Sequence, residues 1–277
     1  MERLINRFYP ITGTPFQADE TYREYAPCDA LKPYIRCFWG TEKPVYPKDV
    51  QPERGIVIPD TCMDVIFDMN FTTNMFSASF CGVDDTSLIT WGQKEKEKTA
   101  TFGIRFYAWT AVAFADEDMK NTGNARMNCE AFSGGIARLL QPYMQDYRNI
   151  QDAIQKAENV LVRLLNKDRL NCNVLNAVDR MIESHGTARM KELSEYTGVS
   201  KRTLERAFEG MTGVSPKALS SLLRYQMVWQ EMMSGHFSVM DAVEKYGYTD
   251  QAHLLHDFKK RHLMNPGEAF RFAIEHR

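Results

Sequence analysis

The chain has 277 residues, of which 44% are hydrophobic and 25% are charged, and its formal net charge is -2. This composition is typical of a folded globular protein with room for about two domains, and it excludes a disordered, low-complexity chain. A membrane-spanning helix needs about 18 to 20 consecutive apolar residues, and the sequence contains no such run, so we expect no membrane partner.

The cysteines and histidines are distributed in a way that argues against disulfides and metal sites. Six cysteines lie far apart without a C-x-x-C pair, and no histidine precedes His185. This pattern is typical of reduced thiols in a cytoplasmic protein, and the N-terminal residues do not resemble a secretory signal. We therefore expect a cytoplasmic location and neither a metal nor another cofactor.

The first 130 residues predict short strands separated by turns. Runs at 55–59, 63–69 and 99–107 are rich in β-branched and aromatic residues. Proline, glycine, asparagine and aspartate separate them, as is usual between the strands of an antiparallel barrel or sandwich.

After about residue 130 the apolar spacing becomes helical. One helix, marked by Ile136 and Leu140, is expected to break near Pro142. A second is expected over 149–166, with Leu161 on an apolar stripe. This stripe either closes the front domain or pairs with its copy in a homodimer.

The last ninety residues contain an internal repeat with a period of 50. Segments 193–208 and 242–258 each combine a short helix, a glycine and a second helix, and Phe208 and Phe258 occupy equivalent positions. A long helix, predicted from about 216 to 234, joins the two copies.

Each copy has the features of a helix-turn-helix unit. Gly198 and Gly247 allow a left-handed turn, and Ser200 and Asp250 are suited to cap the helix that follows. In this motif the N-terminal end of the second helix enters the major groove. A bundle of short helices without DNA binding is the alternative for one copy, but two copies at a fixed spacing favour DNA binding.

The second helix of each copy leaves a set of polar side chains facing outward. Arginine can read guanine through two hydrogen bonds and glutamate can accept one from cytosine, whereas the basic run 259–261 suits phosphates better. Charge supports this interpretation only modestly, since 13 basic and 11 acidic residues follow residue 185. The candidate DNA contacts are Lys201, Arg202, Glu205 and Arg206 in the first copy and Gln251, His253, His256, Lys259 and Lys260 in the second, where Asp257 is also expected to face outward.

The C-terminal part resembles the AraC/XylS family of bacterial transcription regulators over about residues 172–272. The first copy carries the pattern Leu-x-x-x-x-Gly-Val-Ser-Lys-Arg-x-Leu-x-Arg-x-Phe, followed by Gly-Val-Ser-Pro. The second departs from the family at His256, where arginine is usual, and at Leu263, where glycine is usual. The resemblance implies that the first copy reads one major groove and the second reads the next, one helical turn along. Because of His256, we expect the second copy to contact mostly the DNA backbone.

Residues 20–145 resemble, more loosely, a barrel-like domain found at the N-terminus of some members of that family. Such a domain is regulatory, and its aromatic content suits a small-molecule pocket. Asp64 and Arg105 lie in apolar strand runs, where they either pair with each other, face solvent or anchor a ligand. The candidate ligand contacts are Trp39, Asp64, Arg105 and Trp109.

The sequence therefore predicts an α+β fold in three parts. A β-rich, barrel-like domain (1–145) is followed by a linker helix that is a candidate for dimerisation (146–171) and by an all-α domain of two helix-turn-helix units joined by a long helix (172–277). We find no catalytic constellation and expect a transcription regulator of double-stranded DNA that responds to a small-molecule effector. The alternative is a constitutive DNA-binding protein whose front domain dimerises the chain or contacts RNA polymerase.

Overall fold

The computed structural model describes residues 2–11, 13–14, 21–46, 54–91, 97–235 and 237–275. After one short N-terminal helix the strands lie in the first half of the chain and helices dominate after them, which confirms the expected α+β fold. The described strands are β1 (Gly13–Thr14), β2 (Arg23–Tyr25), β3 (Ile35–Gly40), β4 (Arg54–Val57), β5 (Cys62–Asn70), β6 (Met75–Cys81), β7 (Leu88–Trp91), β8 (Thr99–Tyr107) and β9 (Arg126–Asn128).

The strands form two antiparallel sheets. Six of them pair in the order β2-β3-β8-β5-β6-β9, and three pair in the order β1-β4-β7. The predicted runs 55–59, 63–69 and 99–107 correspond to β4, β5 and β8. Along β5 and β8 one set of alternate side chains, including Phe67 and Phe102, is fully buried in the core.

One short helix precedes the strands, and the other helices follow them in close succession. The helices are α1 (Glu2–Arg7), α2 (Cys129–Phe132), α3 (Gly134–Gln145), α4 (Ile150–Leu164), α5 (Cys172–Glu183), α6 (Met190–Thr197), α7 (Lys201–Thr212), α8 (Pro216–Met233), α9 (Val239–Lys245), α10 (Gln251–His262) and α11 (Pro266–Glu275). No helix among the described residues is long and apolar enough to span a membrane.

The expected break at Pro142 is wrong, because α3 continues through this proline. Ile136 and Leu140 before it and Met144 after it are all buried on one face of the helix. Burial on both sides of Pro142 stabilises the helix against the loss of one backbone hydrogen bond.

The apolar stripe of α4 packs inside the chain. Leu161 is fully buried, and α4 lies along α3, which itself packs against the sheet. The sequence predicts that this stripe either closes the front domain or pairs with its copy in a homodimer. In the structure it packs within the chain and closes the front domain. A dimer through Leu161 would first have to separate α4 from its neighbours.

The long helix α8 organises the C-terminal part. Ser215 caps its first turn, Pro216 occupies the first helical position, and the chain turns at Gly235 with a φ of 81°. Trp229, fully buried on α8, packs against Phe258 of α10 with ring centroids 5.8 Å apart. Helices α5, α7 and α10 all contact α8, so both ends of the repeat share one core.

Candidate nucleic-acid interface

The first helix-turn-helix unit consists of α6 and α7. Gly198 ends α6 in the left-handed conformation with a φ of 70°, which a residue with a side chain adopts at a cost. The Ser200 hydroxyl then accepts a hydrogen bond from the Thr203 backbone N–H and caps α7. The turn and the cap are those that the sequence predicts.

Helix α7 separates an apolar face from a charged one. Leu204, Phe208 and Met211 are buried on the inner side. The four candidate contacts on the outer side are exposed, and none of them forms an ion pair with another described residue. Their charges are therefore available to a partner; they are Lys201, Arg202, Glu205 and Arg206.

The second unit, α9 and α10, differs from the first in its turn. Three residues instead of two separate Gly247 from the next helix, and the Asp250 carboxylate caps α10 by accepting from the His253 backbone N–H at 2.7 Å. The fully buried residue of α9 is Ala242. Ala242 stands five residues before Gly247, as Leu193 stands five residues before Gly198. This equal spacing in the sequence indicates that Ala242 is the buried residue of α9.

The outward face of α10 is less charged than that of α7. Gln251, His253, His256, Lys259 and Lys260 are all exposed. The Gln251 amide nitrogen lies 2.6 Å from the Met240 sulfur, and His253 Nδ1 accepts a hydrogen bond from the Thr249 N–H at 3.3 Å. The two lysines form no ion pair with another described residue.

Two residues expected on the outer face of α10 are turned inward. Asp257 accepts a hydrogen bond from the Tyr248 hydroxyl at 3.1 Å and lies 3.5 Å from the Arg261 guanidinium. Arg261 is only 8% exposed and donates to the Ser221 hydroxyl and the Asp85 carbonyl. The basic run is thus reduced to Lys259 and Lys260, because tertiary contacts hold the third member.

A buried histidine completes the second unit, four residues after Phe258 on the inner face of α10. His262 is fully buried and stacks on Phe258, with Nδ1 2.8 Å from the Tyr225 hydroxyl. Burial lowers the pKa of His262 to about 4, because the apolar surroundings disfavour the imidazolium. It therefore stays neutral at pH 7 and does not contribute to the basic surface.

The candidate ligand residues of the sheet pair with one another. Asp64 and Arg105 are direct neighbours across β5 and β8, and their carboxylate and guanidinium lie 3.0 Å apart. The Trp39 indole N–H donates to the same carboxylate at 2.7 Å. Of the three interpretations of Asp64 and Arg105, pairing is the one that the structure contains.

Two further residues, unnoticed in the sequence, join this cluster from β2 and the residue before it. The Tyr22 hydroxyl donates to Glu24 at 2.8 Å, and Arg105 lies 3.4 Å from the same carboxylate. Burial alone would raise the pKa of Glu24, but Arg36 and Arg105 together hold it below its ordinary value. A three-residue strand gives too short a pattern to reveal such a site.

Trp109 stands apart from these residues in its exposure. Its ring is fully buried and stacks on Tyr107 with centroids 5.3 Å apart. Trp39, in contrast, is half-buried and lies 5.5 Å from the Tyr22 ring. Trp109 therefore belongs to the core, and its assignment as a ligand contact is not supported by its position.

Two family models match the chain. Residues 193–271 match a helix-turn-helix domain, and residues 23–128 match a domain of unknown function, DUF6597. No curated protein matches the sequence.

Several solved structures are similar to parts or most of the chain. The C-terminal domain of AraT, a response regulator from Geobacillus stearothermophilus, is 23% identical, with a TM-score of 0.35 over 37% of this chain and 87% of that one. ToxT from Vibrio cholerae is 14% identical, with a TM-score of 0.40 over 92% of this chain and 96% of its own. ToxT bound to an unsaturated fatty acid is 11% identical, with a TM-score of 0.39 over 82% and 98%. Likeness at these scores does not extend to function.

The matched domain and the motif residues agree on one segment of the chain. Residues 193–271 contain both units, α6–α7 and α9–α10, together with the α8 helix that joins them. The chain therefore carries a helix-turn-helix domain of the AraC/XylS type.

Proposed function

We propose that this chain is a sequence-specific, DNA-binding transcription regulator. The observation that carries the proposal is the paired arrangement of α7 and α10. Each is the second helix of a helix-turn-helix unit, both pack on α8, and both expose polar side chains near their N-terminal ends. In this motif that end of the helix meets the base edges.

The two helices are proposed to contribute differently. Arg202, Glu205 and Arg206 follow one another on the exposed face of α7, where arginine suits guanine and glutamate suits cytosine. On α10, Lys259 and Lys260 supply charge for phosphates. The first unit would then read sequence, and the second would mainly hold the duplex.

Selection from a pool of random duplexes with the full chain tests this proposal. We expect enrichment of one sequence, and footprinting of it should show two protected patches whose centres lie about 10 base pairs apart. A pool without enrichment after repeated rounds would contradict sequence-specific binding. Enrichment with a single protected patch would remove α10 from the proposed interface.

A response to a small molecule is the second candidate function, and the cluster around Trp39 favours it. The half-buried indole of Trp39 lies beside the Tyr22 ring. The buried guanidinium carbon of Arg105 lies 5.4 Å from the centroid of the Trp39 ring. Aromatic walls with a few fixed polar groups are typical of ligand sites. The effector would contact Trp39 and Tyr22 and reach the Asp64–Arg105 pair.

A thermal-shift screen of small metabolites against the full chain tests this second candidate. A true effector should raise the melting temperature, change the affinity for the selected duplex, and lose its effect in Trp39→Ala. The conservative Val162→Ala change, at an exposed position on α4, serves as the control. If stabilising compounds leave DNA affinity unchanged, the constitutive alternative, with a front domain for dimerisation or polymerase contact, is favoured.

A further inference from the structure

The front of the chain holds both proposed recognition helices at their C-terminal ends. The Met119 backbone N–H donates to the Gly210 carbonyl in the last turn of α7 at 2.8 Å. The backbone N–H and the hydroxyl of Ser87 both donate to the Arg261 carbonyl in the last turn of α10, at 2.8 and 2.7 Å. Carbonyls in the last turn of a helix have no partner within the helix, so the front of the chain supplies one in each case.

The contact with the first unit is close as well as hydrogen-bonded. Gly213, which ends α7 with a φ of 72°, faces the loop that contains Met119 and Thr122. A Cβ at Gly213 would lie 2.1 Å from the Thr122 hydroxyl and 2.7 Å from the Met119 carbonyl. Nothing larger than glycine fits there without movement of the loop.

The two loops that make these contacts are joined to each other through their backbones. The first loop is 116–125 and the second is 82–87. The Gly82 N–H donates to the Ala125 carbonyl at 3.0 Å, and the Asn124 N–H donates to the Val83 carbonyl at 2.8 Å. Their approach at Gly82 is so close that a Cβ there would lie 1.6 Å from the Thr122 carbonyl oxygen.

Side chains strengthen the same junction. The Asn124 side-chain oxygen accepts a hydrogen bond from the Asp85 N–H at 2.9 Å. Arg126 donates to both carboxylate oxygens of Asp84, at 3.1 and 2.6 Å. We call residues 82–87 together with 116–126 the bridge, because they connect the end of α7 to the end of α10.

The bridge, α7, α8 and α10 form a closed circuit of contacts, in which each element touches the next. Both units pack on α8, and that single helix alone would leave each unit able to rotate slightly about it. With the bridge attached to the far ends of α7 and α10, such a rotation would break hydrogen bonds at Gly210 or Arg261. The relative position of the two helices is therefore constrained from two sides.

We infer that the bridge sets the separation of α7 and α10 and thereby the half-site spacing that the protein accepts on DNA. This inference rests on the proposed function above. Gly82, Asn124 and Arg126 are its positioning residues: they act through α7 and α10 and need not touch DNA. Because the half-sites of such regulators are read at a fixed helical spacing, a constrained separation becomes a preference for one spacing.

The test compares duplexes in which the two half-sites selected by the wild type are moved apart or together by one base pair. For the wild type we expect each shift to weaken binding about tenfold, comparable to the loss of one good base contact. In Gly82→Ala, which forces the two loops apart, this spacing penalty should fall below about threefold. Substitution of a base within a half-site should remain as costly as in the wild type, since the reading side chains are unchanged.

Two further variants serve as a matched control and as an independent test of the bridge. Gly210→Ala makes the same chemical change on α7, where a Cβ meets no atom within 4 Å, and should keep the wild-type penalty. The double change Asn124→Gly and Arg126→Ala removes only side-chain contacts of the bridge at exposed positions, so it should fold and show a reduced penalty even if Gly82→Ala does not.

The outcomes separate this inference from the proposed function. A wild type that selects no DNA sequence contradicts the proposed function. Suppose the wild type selects two half-sites and the double variant folds but keeps the full spacing penalty. This result would overturn the inference that the bridge sets the spacing and would assign the spacing to α8 alone. Each penalty is the ratio of two affinities measured with the same protein. Any general weakening of DNA binding by the loss of the Arg126 charge therefore cancels.

Discussion

The two helix-turn-helix units share one plan but use it differently. At positions 50 residues apart, the first unit has Arg206 and Gly213 where the second has His256 and Leu263. The first unit exposes unpaired charges near the start of its second helix and ends it with a glycine that leaves room for a neighbouring loop. The second ends that helix with a leucine in the left-handed conformation, at a φ of 63°. Under the proposed function, two units of the same fold would therefore carry unequal shares of DNA recognition.

The last turns of the two helices differ chemically as well. Thr212 in the first unit is fully buried, and its hydroxyl donates a hydrogen bond to a backbone carbonyl within α7. Its equivalent in the second unit, His262, is a titratable ring inside an aromatic cluster. The second unit is therefore the one whose stability should depend on pH.

The largest expected effect is on the attachment of the first unit. Gly213→Ala should lower the free energy of unfolding by about 3 kcal/mol, because it adds left-handed strain and a clash with Thr122. Gly235→Ala, at a φ of 81° and with no atom within 4 Å of a Cβ, carries the strain without the clash and should cost about 1 kcal/mol. Urea unfolding measures both; equal losses would show that the contact between Gly213 and the loop contributes nothing.

The next effect concerns the second unit and pH. The folded-state pKa of His262, about 4, lies below its ordinary value of 6.5, so the unfolded chain binds this proton first as pH falls. Stability from this residue is complete above pH 6.5 and is lost progressively as pH falls towards 4. Between pH 7 and pH 5 the wild type should lose about 2 kcal/mol more than His262→Phe.

The control for this prediction lies at higher pH. Between pH 7 and pH 8 the wild type and His262→Phe should change nearly in parallel, since the ring is mostly neutral in both the folded and the unfolded wild type. Parallel behaviour from pH 7 down to pH 5 would show that the imidazole becomes charged without cost where it lies.

A smaller effect is expected from the lysines of α10. Lys259→Ala and Lys260→Ala should each weaken DNA binding about three- to fivefold, equally for selected and scrambled duplexes, because phosphates carry no sequence. The slope of log affinity against log salt should also fall by about 1 for each contact. A loss confined to the selected duplex would place the lysine at a base edge and make the second unit a reader.

The smallest effect concerns the leucine that ends α10. Leu263→Gly should raise the free energy of unfolding by up to about 1 kcal/mol, because glycine adopts a positive φ without strain. The Leu263 side chain is 44% exposed, so little packing is lost. Thermal unfolding checks this, and a clear loss of stability would mean that the leucine packs where its exposure suggests it does not.

The helical half was predictable because its signals are local. Apolar spacing, Gly198 and Gly247, and the caps Ser200 and Asp250 each act within a few residues, and the helices begin and end close to where the sequence predicts. The break that the local rule predicts at Pro142 is absent, because residues before and after the proline are buried on one face of α3.

The contacts between distant parts of the chain were not predictable from sequence. Ser87 and Arg261 are 174 residues apart and meet through a backbone carbonyl, which leaves no trace in residue type. For the same reason the sequence predicts Arg261 as part of a solvent-facing basic run, whereas its partners Asp85 and Ser221 are distant in the chain. In the front half, short strands such as β2 offer too few residues to show a period, so Tyr22 and Glu24 were missed.

The unequal roles of the two units are tested most directly by Arg206→Ala and His256→Ala. Each variant is titrated against the selected duplex and a scrambled one at the same salt concentration. We predict that Arg206→Ala loses about tenfold or more in affinity for the selected duplex and little for the scrambled one, whereas His256→Ala changes both by less than about threefold. A preference for the selected duplex that survives in Arg206→Ala, or disappears in His256→Ala, would contradict this assignment.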